Sequence, residues 1–119
     1  MSHEIHWLDE PEQHDFTAAL SYLSLHFPIQ VASDYVHALR LAEADQFKAK
    51  DIARASGLPM LDEKNSHVER SLEKIEDGKK LSPILLVRTP ERLLIADGYH
   101  RVSAVHLHDE DALIPCRIV

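Results

Sequence analysis

The sequence predicts a single α+β domain, a small mixed sheet carrying an additional N-terminal helical layer. Three observations lead there. Residues 1–46 hold apolar side chains at helical spacing. From Ser66 onward a helical stretch is followed by two short apolar runs, a second helix and a closing apolar run. At 119 residues, 45% hydrophobic and 28% charged, the chain has the size and composition of one folded domain, with no repeat, low-complexity segment or linker to divide it.

The first helix is expected to open at Asp9-Glu10-Pro11-Glu12, with Asp9 as cap, Pro11 tolerated in the first turn and Glu12 at the third helical position. Phe16, Leu20, Leu23 and Phe27 follow at helical spacing, and Pro28 ends the run. A second helix is expected over residues 34–44, with Val36, Leu39 and Leu41 towards a core. Trp7, Phe16, Tyr22 and Phe27 read as helix packing. A core is expected over residues 47–119, opening with a segment whose alternating first half suits a strand and whose residues 51–56 can be helical.

Ser66 and Glu69 then have capping-box spacing, with Val68, Leu72 and Ile75 on one face and Arg70 and Lys74 towards solvent. Gly78 supplies a stop, and Lys79 and Lys80 suit the negative end of the helix dipole. Residues 83–88 read as a buried strand, 89–92 as a turn and 93–96 as a second strand. A helix starts at Tyr99 or His100 and runs to about His108, and residues 114–119 form the last strand.

A net charge of −7 argues against a protein that coats nucleic acid. The acidity is local, however: residues 1–47 hold Arg40 against eight acidic side chains, and the remainder is nearly balanced. A local anion site within residues 48–119 is therefore compatible with the charge, and the acidic helices can present a face to a protein partner. The longest apolar run is four residues, far below the roughly 18 needed to cross a bilayer, so no membrane association is expected. Met1-Ser2-His3-Glu4 does not open a signal peptide, and the single cysteine, Cys116, fits a reducing, cytoplasmic setting.

Residues 93–107 are the most informative stretch. Gly98, one of three glycines, stands where an extended chain must turn into a helix. Such a junction presents free backbone N–H groups at the positive end of a helix dipole, which favours an anion. His100 and Arg101 occupy the first turn, where cations oppose the dipole. Their placement makes sense if a phosphate or carboxylate binds there, since the Arg fork can donate two parallel hydrogen bonds to phosphate oxygens. Asp97 can hold Mg²⁺ or accept a proton from a hydroxyl. The same residues also fit a structural turn, in which Asp97 caps the helix and Arg101 pairs with Asp97 or Asp109.

Asp97-Gly98-Tyr99-His100-Arg101-Val102-x-Ala104, preceded by Leu81-x-Pro83-Ile84 and followed by Ile114-Pro115, resembles the ParB/sulfiredoxin superfamily over residues 47–119. The resemblance implies a mixed sheet of that type and a pocket for nucleotide phosphates at Gly98, Tyr99, His100 and Arg101. Its ligand would be ATP, ADP or CTP with Mg²⁺, and its chemistry phosphoryl transfer or nucleoside triphosphate hydrolysis. Sulfiredoxin places its cysteine just before the His-Arg pair, where this chain has Tyr99, which argues against sulfinic acid reduction. ParB partition proteins carry a Gly-Glu-Arg-Arg turn and need separate DNA-reading and dimerisation domains, for which nothing is expected after Val119. The Asp-Gly-x-His-Arg form is nearer that of the superfamily's ADP-dependent free-serine kinase. By position Asp97 then handles metal as the catalytic residue and His100 and Arg101 handle phosphate, with Asp62 or Glu63 as local candidates for the base.

Two other readings stand beside this one. The first is a non-catalytic regulatory module read by a partner through the acidic helices; the second is a DNA-associated, nuclease-like ParB relative. Residues 52–58 resemble the start of a helix-turn-helix, but Pro59, Asp62 and Glu63 disturb the would-be recognition helix, so DNA is not expected as a partner. Lys48 and Lys50 are candidates to line the phosphate pocket. His3-x-x-His6 lies at the terminus, His106-x-His108 cannot share one helical face, and there is no His-Glu-x-x-His or Cys pair, so no zinc site is expected.

Overall fold

Helices cover both faces of a four-stranded mixed sheet. A computed structural model describes residues 4–119; Met1, Ser2 and His3, and with them half of the His3/His6 pair, lie outside the described residues. In chain order the elements are β1 (His6–Trp7), α1 (Gln13–Leu23), α2 (Ile29–Leu41), β2 (Asp45–Lys48), α3 (Ala49–Ser56), α4 (Ser66–Glu76), β3 (Lys80–Leu81), β4 (Ile84–Arg88), β5 (Leu93–Asp97), α5 (Tyr99–His108) and β6 (Leu113–Ile118). The sheet runs β2-β6-β4-β5, with β4 parallel to β6 and the other two pairs antiparallel.

The continuous apolar run of β4 is explained by burial on both sides: Ile84, Leu85, Leu86 and Val87 are all 0% exposed. Ile84 and Leu86 join Ile95, Ile114 and Cys116 beneath Ile52 of α3, Ile75 of α4 and Val102 and Val105 of α5. Leu85 and Val87 join Leu94 and Ala96 against Phe16, Ala19 and Leu23 of α1 and Val36 and Leu39 of α2. The N-terminal helices thus form a separate layer, locked together by Arg40, which lies 4.3 Å from the Phe16 ring centroid and donates to Gln13 at 2.9 Å.

Several boundaries differ from the sequence reading. Helix α1 starts at Gln13 with Glu12, not Asp9, at the cap, because Glu12 and Asp15 close a reciprocal capping box. Helix α2 starts at Ile29 rather than at Asp34: Pro28 sits at its N-cap, where a missing N–H costs nothing. Leu41 is exposed, not core. The cap of α4 is Asn65, whose Oδ1 accepts from the His67 and Val68 amides, so Ser66 is the first helical residue. Trp7 does not pack as a helix residue; β1 pairs in parallel with β3, and Trp7 packs against the core under α3–α5. The connection 57–65 between α3 and α4 is too long for the three- to four-residue turn of a helix-turn-helix. Among the described residues no helix is long and apolar enough to cross a membrane.

Candidate functional site

The β4–β5 hairpin turns at Thr89, whose hydroxyl donates to the Arg92 carbonyl at 2.6 Å. At the other end of the hairpin the register shifts: Leu86 opposes Ile95, yet Leu85 opposes Asp97. The extra residue, Ala96, makes a bulge that re-aims the side chain following it, which is Asp97. Gly98 then takes φ 110° and ψ 18° as the N-cap of α5. A Cβ at Gly98 would lie 2.4 Å from Ile84 Cδ1 and 3.0 Å from Arg101 Nη2, so glycine is required both by the backbone and by the space.

No side chain caps α5, unlike α1 and α4, and its first turn holds no acid. Asp97 therefore does not act as the cap. Its carboxylate instead accepts from Arg101, Nη2 to Oδ2 at 2.7 Å. Arg101 Nη1 also lies 3.5 Å from Asp15 Oδ1, while Asp109 takes no part. Asp15 is 3% exposed and accepts in addition from the Ser82 hydroxyl and, at 2.9 Å, from the Glu12 amide. Asp15 of α1 and Asp97 of β5 thus converge on the Arg101 guanidinium of α5, whose Nε is buried without a hydrogen-bond partner, while Ser82, before β4, holds Asp15.

The two carboxylates titrate in opposite directions. Burial pushes Asp97 up to about 6, and the neighbouring Asp15 charge adds to the rise against the pull of Arg101. Burial also disfavours the Asp15 anion, but the Ser82 hydroxyl, the Arg101 charge and the Glu12 amide outweigh it and hold Asp15 below its ordinary value.

This network forms the floor of a polar cleft of about 400 Å³. His100 and Tyr99 stand at its edge. The His100 ring lies 4.8 Å from that of His67 on α4, and burial, followed by the His67 charge, lowers its pKa. The Tyr99 hydroxyl is committed elsewhere, donating to the Pro59 carbonyl at 2.5 Å and, with Ser103, pinning the 57–65 connection onto α5. The cleft is also lined by Arg70 and Lys74 from α4 and Lys80 from β3. Among the described residues no carboxylate lies within 4 Å of these three charged groups.

The cleft brings together all five residues expected from the sequence, Asp97, Gly98, Tyr99, His100 and Arg101. It leaves out Lys48 and Lys50, which pair with Asp111 at 4.0 and 2.6 Å on the side of β2 and α3. Asp62 and Glu63 also stay outside it; its acids are Glu12, Asp15 and Asp97. Arg70 and Lys74, read as merely solvent-facing, rim the cleft while remaining exposed. Asp15 gave no sequence signal, because a helical acid next to Phe16 reads as a surface residue until Ser82 and Arg101 are placed beside it. Among the described residues no three His, Cys, Asp or Glu side chains are gathered for a metal ion.

Comparisons with protein-family models, curated proteins and solved structures return no match.

Proposed function

We propose that the cleft binds the phosphates of a nucleoside di- or triphosphate, in a core of ParB/sulfiredoxin type. The observation that carries this reading is the gathering of Arg70, Lys74 and Lys80, none paired to a carboxylate, in one cleft with an uncapped helix N-terminus in a chain of net charge −7. Unpaired cations repel one another, and an anion with several charged oxygens between them and the first-turn amides of α5 relieves that repulsion. The order β4, β5, Gly98 turn, α5 and β6, with β6 parallel to β4, supports the family assignment.

In this reading the amides of Gly98 and Tyr99 and the His100 imidazole hold one phosphate, and Arg70, Lys74 and Lys80 neutralise the others. Arg101 keeps Asp97 and Asp15 in register. Mg²⁺ is commonly held by one or two carboxylates plus ligand phosphates, and Asp97 is the cleft carboxylate that would hold it. The ion would neutralise charge developing on a transferring phosphoryl group. Where no metal is bound, Asp97, with its raised affinity for a proton, is instead the group suited to take one from an attacking hydroxyl or water.

The test is calorimetric titration with ATP, ADP, CTP and GTP, with and without Mg²⁺, on the wild type, Lys74→Ala and Lys80→Ala. Both lysines are exposed, so neither substitution threatens the fold. Each is expected to weaken binding tenfold or more, or about 1.4 kcal/mol. No saturable binding at millimolar nucleotide, or binding indifferent to both lysines, would overturn the reading.

A further inference from the structure

A second cleft, of about 430 Å³, lies at the opposite end of the hairpin from the phosphate cleft, over the sheet face that also carries α3. It exists because α3 spans only eight residues and leaves part of that face uncovered. The pleat explains its lining. Ile118, Leu86, Phe47 and Leu93 all belong to the side of the sheet that packs under α3–α5, and Ile52 of α3 forms a side wall. The same alternation carries one step further along β4, from Leu86 to Arg88, so the apolar floor ends in a guanidinium. Arg92, on the turn, supplies a second.

No carboxylate among the described residues lies within 4 Å of the Arg88 or Arg92 side chain. The acids at this rim are Asp51, which is engaged by Arg54 at 2.6 Å, and Glu91.

We propose that this cleft binds a small amphipathic carboxylate, an apolar chain or ring on the Leu86–Leu93–Ile118 floor with its carboxylate held by Arg88 and Arg92. The volume lies within the roughly 300–1,000 Å³ common for small-molecule sites, and apolar walls with a few placed polar groups are their usual composition. Strands about 4.8 Å apart give a floor roughly 10 Å across β6, β4 and β5, the length of a medium-chain acid such as octanoate. The charge at the rim selects the head group: two unpaired arginines against one glutamate favour an anion over a neutral or cationic end. This site shares no residue with the phosphate cleft, so it stands or falls independently of that reading.

The experiment is calorimetric titration of the full chain with octanoate, octan-1-ol and octylamine. Octanoate is expected to bind saturably, at least tenfold tighter than octylamine. The Arg88→Gln/Arg92→Gln double variant is expected to lose about tenfold for octanoate and little for octan-1-ol, whereas Glu91→Gln tightens octanoate. Ala55→Trp, at an exposed position of α3 lining the cleft, is expected to block all binding while circular dichroism confirms the fold. Lys74→Ala is expected to change nothing. Absence of saturable octanoate binding at millimolar concentration, equal affinity for octylamine, or binding that survives Ala55→Trp but not Lys74→Ala would each overturn the proposal.

Discussion

Replacing Gly98 by alanine tests the turn on which the polar cleft depends. Two penalties add at this position. A non-glycine residue held at φ 110° costs about 1–3 kcal/mol. The new methyl would also lie 2.4 Å from Ile84 Cδ1, and Ile84 is 0% exposed, so the clash must push on packed core at a further cost of about 1–3 kcal/mol. A total of roughly 2–6 kcal/mol is a large share of the 5–15 kcal/mol that holds a typical domain. Gly57 and Gly78 provide internal controls. They sit at φ 68° and 70°, and a Cβ there meets nothing within 4 Å, so Gly57→Ala and Gly78→Ala carry only the backbone part. Urea unfolding followed by circular dichroism measures all three, and unchanged m-values would show that the comparison is fair. Gly98→Ala no more destabilising than Gly57→Ala would refute the claim that the β5–α5 junction is packed too tightly for a side chain.

Other expectations follow from the same network and core. Arg101→Met removes the cation shared by Asp15 and Asp97 and should destabilise by about 3–5 kcal/mol, with partial recovery in Asp15→Asn/Arg101→Met, measured as a double-mutant cycle. Asp97 binds its proton more tightly folded, near 6, than the roughly 3.9 of an unfolded chain, so its contribution to stability falls as pH rises from about 4 to 6 and is flat above that. The wild type minus Asp97→Asn stability difference should show that slope, and a carboxyl NMR titration of Asp97 should have its midpoint near 6. Asp15 acts in the opposite sense: its lowered pKa gives stability that is present above the unfolded value and lost on acidification, so Asp15→Asn should flatten the acid limb below pH 4. Burial pushes the Cys116 thiol up to about 12, so alkylation at pH 8 should be slow in the native protein and rapid in urea.

Strands β4 and β5 and the last helix were legible because each carries its own punctuation, whereas β2 fell in a stretch readable as strand or helix. The runs at 84–87 and 93–96, the Gly98 break and the turn at Thr89 fix β4, β5 and α5 almost to the residue. Strands β1 and β3 were not legible: two residues each are too short for any period, and their pairing joins His6 to Lys80 across the chain. Pro28 was misleading because proline suits a helix start as well as an end, and here it opens α2. At the site, Gly98 to Arg101 stood out because cations in a first turn oppose the dipole. Arg70, Lys74 and Lys80 did not, since their role arises only when α4 and β3 are brought into one cleft with α5. Residues 70–80 hold four cations against three acids, so the stretch carries no charge signal of its own.

The position of β6 bears on how the chain reaches this structure. Although β6 is the last element in chain order, it lies inside the sheet, between β2 and β4. During synthesis β2 and β4 therefore wait with open edges until residues 113–118 arrive to join them. Pairing Asp45 with Cys116 closes a long loop before it returns any contact energy, which slows folding and leaves the apolar edge of β4 open to intermolecular pairing in the meantime. Substitutions in β6 are thus expected to act on the yield of folded protein more than on the polar cleft around Asp97 and Arg101, to which β6 contributes no residue.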